Sequence, residues 1–257
     1  MRVAAAHREA LVVTSRLWQT NAVALRAGGE ALLVDSPYFP DELEALPDVL
    51  AQARFEVDGL VATHGDYDHL LGRLAYPHLA LGVGQPTLER FHREPGAAQR
   101  ELRDQDARLY VVRATPLALG SVQALPVPGK LEIGDEEVEL HPAEGHTADG
   151  LALMARYCGL LVCGDYLSDV EIPTITSLAD YRATLARLAP LVEAADAVVP
   201  GHGSVLSRDA ALRVLDEDTA YLDALEAGEQ RPRLPEGRDS AEQRRLHAEN
   251  LHRTFAA

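Results

Sequence analysis

Gly59-Leu60-Val61-Ala62-Thr63 runs straight into His64-Gly65-Asp66-Tyr67-Asp68-His69. The first segment is apolar and opens on a glycine, the pattern of a short strand buried on both faces. The second holds two imidazoles and two carboxylates. A buried strand therefore delivers a dense polar cluster to its C-terminal end. Strand ends on one rim of a sheet border a crevice, which is where sites are built.

Three further places repeat the arrangement. Val138–His141 leads to His146, Leu160–Cys163 leads to Asp165, and Val198-Val199 leads to His202. Imidazole and carboxylate are the ligand types for zinc, iron or manganese, and the only thiol near any of them is Cys163.

Outward from these junctions the chain falls into blocks. Leu11–Thr14, Ala22–Arg26 and Ala31–Asp35 read as strands, the last two joined by a turn at Gly28-Gly29. Asp41 and Glu44 have capping-box spacing ahead of a helix striped by Leu43, Leu46, Val49 and Leu50. Pro47 is expected to kink that helix or reset its start. Residues 84–107 read as largely helical with a break at Pro95-Gly96, and 122–162 as strands. Leu178–Leu188 reads as an amphipathic helix closed by Pro190. Ser207 caps another helix, and Ser240 with Gln243 has capping-box spacing before the last one. The order strands, helices, strands, helices implies an α/β (α+β) fold: two sheets face to face with helices outside, rather than a regular βαβ alternation. One domain is expected over 1–257, with 205–257 its helical C-terminal part.

The formal net charge is −16, and Lys130 is the single lysine. An acidic surface repels phosphate backbones, so no nucleic-acid partner is expected. No apolar run is long enough to span a bilayer. Met1–Leu17 lacks the apolar core and cleavage site of an export signal, which makes a cytoplasmic location the expectation. Cys158 and Cys163 read as small buried residues on adjacent strands, not as a disulfide.

Thr63–His69 resembles the His-x-His-x-Asp-His signature of the metallo-β-lactamase superfamily. Glu144-Gly145-His146-Thr147 is similar to its Gly-His-Thr motif, Gly164-Asp165 to its bridging aspartate, and Pro200-Gly201-His202-Gly203 to its last histidine motif. The intervals are 77 residues from His69 to His146, 19 to Asp165 and 37 to His202. The resemblance runs from about residue 20 to 205, and four motifs in order carry far more weight than one.

The resemblance implies a four-layer αββα sandwich and two divalent metal ions, with zinc first in line and iron or manganese the alternatives. By analogy, His64, Asp66 and His146 hold one ion, Asp68, His69 and His202 hold the other, and Asp165 bridges them. The implied chemistry is attack by a metal-bound hydroxide on a small-molecule ester, thioester or lactone, with Asp68 also handling a proton. Asp35, at the end of an early strand, is expected to orient a ligand rather than bind metal. Asp66 departs from the family pattern, which has histidine there. Two divalent ions bring about +4, and three carboxylates with a hydroxide about −4, so the core sums to about zero where histidine would leave about +1. That charge implies weaker Lewis acidity than the usual site.

Tyr67, Asp149, Tyr166, Ser168, Asp169 and Glu171 lie within a few residues of these groups on expected loops, and are candidates for lining a substrate pocket. A small-molecule substrate is expected, and the sequence leaves the oligomeric state open, a homodimer included. Two other functions stay open: a phosphodiesterase or nuclease of the same fold, and a metal-binding sensor or structural protein with little catalysis. A glyoxalase II-like thioesterase is one form of the hydrolase reading, with Arg231, Arg233, Arg238, Arg244 and Arg245 as a basic recognition surface.

Overall fold

The computed structural model describes residues 1–255. The first sheet has seven strands in sequence order: β1 (Arg2–His7), β2 (Ala10–Thr14), β3 (Asn21–Ala27), β4 (Glu30–Val34), β5 (Val57–Val61), β6 (Leu81–Gly84) and β7 (Val122–Leu125). β1 to β4 pair antiparallel, and β4 to β7 pair parallel. The second sheet runs β13 (Leu206–Ser207), β12 (Ala197–Val199), β11 (Leu160–Val162), β10 (Leu151–Ala155), β9 (Glu136–Pro142), β8 (Gly129–Ile133). Within it only β11 and β12 are parallel.

Side-chain alternation sorts the core into three layers. Between the sheets lie Val12, Val23, Leu25 and Val61 from the first, with Val138, Leu140, Leu153 and Val162 from the second. The opposite faces of the same strands pack on helices. Leu11, Val13, Ala24 and Leu33 meet α1 (Pro40–Gln52), the short α2 (Gly72–Ala75) region and α4 (Ala97–Leu109). Ala152, Met154, Leu161 and Val198 meet α5 (Leu178–Ala194), α6 (Arg208–Glu226) and α7 (Ala241–Phe255). Strands buried on both faces, such as β10, read as unbroken apolar runs for this reason. The remaining helix, α3 (Gln85–Arg93), follows β6 directly.

Several local expectations are corrected. β1 carries no strand signal in its alanine-rich sequence; it gains its strand state from pairing with β2, with a register shift before His7. α1 begins at Pro40, and Glu42 rather than Glu44 reaches back, accepting from the Phe39 N–H at 3.1 Å and the Ser15 hydroxyl at 2.6 Å. Asp41 instead binds Arg16. Pro47 and Pro190 both lie inside helices. Each lacks one backbone donor, but Leu50 after the first, and Leu191 and Val192 after the second, are buried, and that apolar burial carries the helix onward. At α7, Ser240 caps the Gln243 N–H as expected, yet the Gln243 side chain accepts from Ile172 N at 2.7 Å instead of closing a capping box. Cys158 sits in a 3-10 turn (Arg156–Cys158) rather than on a strand; both cysteines are buried and free.

Among the described residues, no helix is long and apolar enough to cross a membrane.

Candidate metal centre

The loops after β5, β9, β11 and β12 open on one rim, and they bring His64, Asp66, Asp68, His69, His146, Asp165 and His202 together. Asp165 is central. Its Oδ1 lies 3.2 Å from His69 Nε2, and its Oδ2 lies 3.2 Å from His146 Nε2, 3.4 Å from His202 Nε2 and 3.7 Å from His64 Nε2. Asp66 Oδ2 stands 3.6 Å from His64 Nε2 and 3.8 Å from His146 Nε2. Asp68 Oδ2 stands 3.4 Å from His202 Nε2 and 3.7 Å from His69 Nε2. Three tight donor groups result among the described residues: His64–Asp66–His146, Asp68–His69–His202, and His64–His69–Asp165, which joins the first two.

The outer nitrogen of each imidazole faces an oxygen of the protein. His64 Nδ1 donates to the Thr63 hydroxyl (3.1 Å), which itself donates to Asp35 Oδ2 (2.8 Å). His69 Nδ1 lies 3.0 Å from the same Asp35 oxygen. His146 Nδ1 donates to Thr174 O at 3.1 Å. His202 Nδ1 faces the Thr20 hydroxyl at 3.4 Å, whose proton goes to Leu17 O. All four rings thus turn Nε2 to the centre, the tautomer that ligates metal. The Nε2 atoms of His64, His69 and His146, and Asp165 Oδ1, are buried without a hydrogen-bond partner. Unpaired buried polar atoms are costly, and four converging on one point fit a divalent cation.

The electrostatics agree. Burial opposes charge on His146, but the Asp165 carboxylate outweighs it and pushes the imidazole up to about 10. The same contest raises His69 and His202 well above the usual histidine range. Burial would raise Asp165, yet the surrounding imidazoles, His202 first, hold it far below the usual carboxylate range. The carboxylates demand positive charge at the centre, and a cation bound through Nε2 lone pairs meets that demand.

Glycines and one asparagine make the approach tight. A Cβ at Gly201 would collide with Asp165 Oδ1, and one at Gly145 with the start of α5. Asn21, at the head of β3, donates to Pro200 O (2.9 Å) and Gly203 O (3.1 Å), so the His202 loop is bound to the opposite sheet.

The metallo-beta-lactamase superfamily model matches residues 15–222. The chain belongs to the metallo-beta-lactamase superfamily. A beta-lactamase-like protein 2 homolog from Caenorhabditis elegans is 25% identical over 195 residues, 74% of this chain and 57% of that protein, so the chain spans little more than half of that relative. A metallo-beta-lactamase family protein from Thermus thermophilus superposes with a TM-score of 0.66 at 22% identity, covering 95% of this chain and 91% of the other. A metallo-beta-lactamase from Pontibacter korlensis gives 0.64 at 18% identity over 84% and 97%. These likenesses support the αββα sandwich.

As a member of this superfamily, the chain differs from the sequence expectation around the centre. Tyr166 is buried, its hydroxyl donating to Glu144 O (2.6 Å) and accepting from His146 N (2.9 Å), so it holds the His146 loop from behind. Tyr67 packs on the helix-facing core of the first sheet. Ser168 lines a small recess beside the centre and also caps its own loop, accepting from Val170 N and Glu171 N. Glu171 does face the centre, in a small recess shared with His146, Asp165 and His202. Asp169 accepts from Ser204 N beside the His202 loop. Arg238 is no surface group: it is buried, paired with Asp218 at 2.5 Å and Glu217 at 2.6 Å, and binds Ser168 O and Glu171 O.

Three contributors carried no sequence signal. Arg90 on α3 reaches Asp66 Oδ1 at 2.8 Å and Asp149 Oδ1 at 3.2 Å. The extra carboxylate at position 66 is therefore not the uncompensated charge that the motif alone implies. Thr174 is held by its neighbours' bonds to Asn250 of α7, and Asn21 lies far from every motif. Only tertiary structure brings them to the centre.

Proposed function

We propose that the chain is a metal-dependent hydrolase holding two divalent ions, zinc first among them, and acting on a small-molecule ester, thioester or lactone. The observation that carries this reading is the set of inward-turned, unpartnered Nε2 atoms around Asp165. His64, Asp66 and His146 would hold one ion, and Asp68, His69 and His202 the other, with Asp165 shared. Bound there, the ions supply a Lewis-acidic centre that lowers the pKa of water and polarises a carbonyl. The Nδ1 partners keep the imidazoles in their ligating tautomer. Asp68, 3.7 Å from His69 and 3.4 Å from His202, would also hold a proton released in the reaction.

A cleft of about 640 Å³ adjoins the centre on the Asp66 and His146 side, lined by Arg90, Thr147, Asp149 and Thr176 among others. Its size suits a small molecule. The measurement that tests the reading is metal content of the purified protein, paired with a panel of esters, thioesters, lactones and phosphodiesters. About two ions per chain and turnover of one of the first three classes is the expected result. A protein that binds no divalent metal overturns it. Turnover confined to phosphodiesters replaces the substrate class, and bound metal with no turnover on any substrate favours a sensor.

A further inference from the structure

Position 66 departs from the superfamily pattern, and the structure surrounds that departure with two residues that no motif contains. Asp66 spends Oδ1 on the Arg90 guanidinium, while Oδ2 faces His64 Nε2 and His146 Nε2. Arg90 is itself fixed. Its Nη1 also binds Asp149 Oδ1, and Asp149 is buried, accepts from Gly65 N through Oδ2 (3.1 Å), and accepts from the Thr87 hydroxyl through its backbone oxygen (3.0 Å). Thr87 and Arg90 share helix α3, so the helix is bound to the Asp149 loop at two points one turn apart. A Cβ at Gly65 would press on Asp149 Oδ2 at 2.8 Å, which makes the glycine between His64 and Asp66 part of the same unit.

We infer that Arg90, braced by Asp149, is the positioning residue that lets an aspartate serve at position 66: it holds one carboxylate oxygen and thereby presents the other, singly, to the ion shared with His64 and His146. An unrestrained carboxylate on a half-exposed loop can rotate or offer both oxygens. A histidine offers one nitrogen from a rigid ring. The guanidinium restores that single-donor geometry and places a positive charge against the carboxylate. This inference rests on the two-ion reading above and adds to it a division of labour: Arg90 serves the His64–Asp66–His146 group and not the Asp68–His69–His202 group.

The test is metal titration of the full chain with Zn²⁺ against a chromophoric chelator, for the wild type, Arg90→Gln, Arg90→Lys, Asp66→His and the double variant Asp66→His/Arg90→Gln. Partners that orient ligands are typically worth about 10- to 100-fold in metal affinity. Arg90→Gln should therefore weaken one of the two ions by about that factor and leave the other in place. Arg90→Lys should recover only part of the loss, because an ammonium is a strongly hydrated point charge on a flexible stem and fixes a carboxylate oxygen less firmly than the rigid guanidinium does. With histidine at 66, Arg90→Gln should have little further effect, since there is no carboxylate to orient. Equal weakening of both ions, or the same loss from Arg90→Gln with histidine at 66, would show that Arg90 acts only by bracing the loop through Asp149, and would overturn the inference. Wild type that binds no Zn²⁺ at all would instead remove the two-ion reading itself, so the two failures are distinguishable.

Discussion

The two donor groups of the metal centre are built to different standards. Asp68, His69 and His202 form the inner group, with side chains 10%, 0% and 6% exposed. His69 is braced by Asp35, and the His202 loop is bound to the opposite sheet through Asn21. The outer group holds Asp66, 31% exposed at the edge of the cleft and steadied by an arginine. Both groups sit on loops and turns at the strand ends, but the inner group is enclosed throughout. The outer group includes the more exposed Asp66, and that is where the family pattern is altered. A site can exchange a ligand type where a neighbouring surface helix is able to supply the compensating charge; among the described residues, the ion pairs of Asp68 are with His69 and His202 alone.

The largest expected effect concerns both groups at once. A cation that binds only the folded chain stabilises it by about 4 kcal/mol when present at 1,000-fold its dissociation constant. For a chain of this size, that is roughly 8–16 °C of melting temperature. Chelation followed by thermal melting should show a drop of this order. Asp165→Ala should remove most of the response, because both groups share that carboxylate. A melting curve indifferent to chelator in the wild type would break the comparison at its root.

Next come the supports of the ligand rings and loops. Asn21→Ala leaves Pro200 O and Gly203 O without their side-chain donor, a loss of about 1–3 kcal/mol in stability by chemical denaturation. Asp35→Asn keeps an acceptor for Thr63 N but turns an amide toward His69 Nδ1 or the Thr63 hydroxyl. It should weaken both ions, the inner through His69 and the outer through Thr63 and His64, by about 10- to 100-fold, as read by metal competition. If Asp35→Asn left both affinities unchanged, Asp35 would not be a support of the centre.

The sequence made the two sheets and the seven central residues legible for one physical reason. Buried strands leave unbroken apolar runs, and ligands leave His and Asp clusters at their ends, so both signals are local. Supports of the centre leave no such mark. Asn21 is an ordinary polar residue at a strand head, and Arg90 is one of three arginine or histidine residues on the last turn of α3. Each acts through partners distant in the sequence, Asp66 and Asp149 for Arg90 and Pro200 for Asn21. Tyr166 shows the converse: its place beside Asp165 is legible in the sequence, but that its hydroxyl holds the His146 loop from behind is visible only in the structure. The helix starts failed more narrowly. Glu42 and Glu44 are equally placed in a local reading, and the choice was made by Ser15 and Arg16, contributed from another loop.

The smallest expected effect sharpens the contrast most. Asp66→Asn removes a carboxylate that is nearly one-third exposed and leaves Arg90 its second partner, Asp149. In chelator, where no ion reports on the site, its stability should change by less than about 1 kcal/mol, the range of partly exposed ion pairs. In metal, it should lose only the outer ion's share of the chelation response and keep the inner ion's. Melting the variant in both conditions separates these terms, because the first measures the loop and the second measures the ligand. A loss of the whole metal response, equal to that of Asp165→Ala, would mean that the two groups do not fill independently and that the outer carboxylate is as integral to the centre as the shared one.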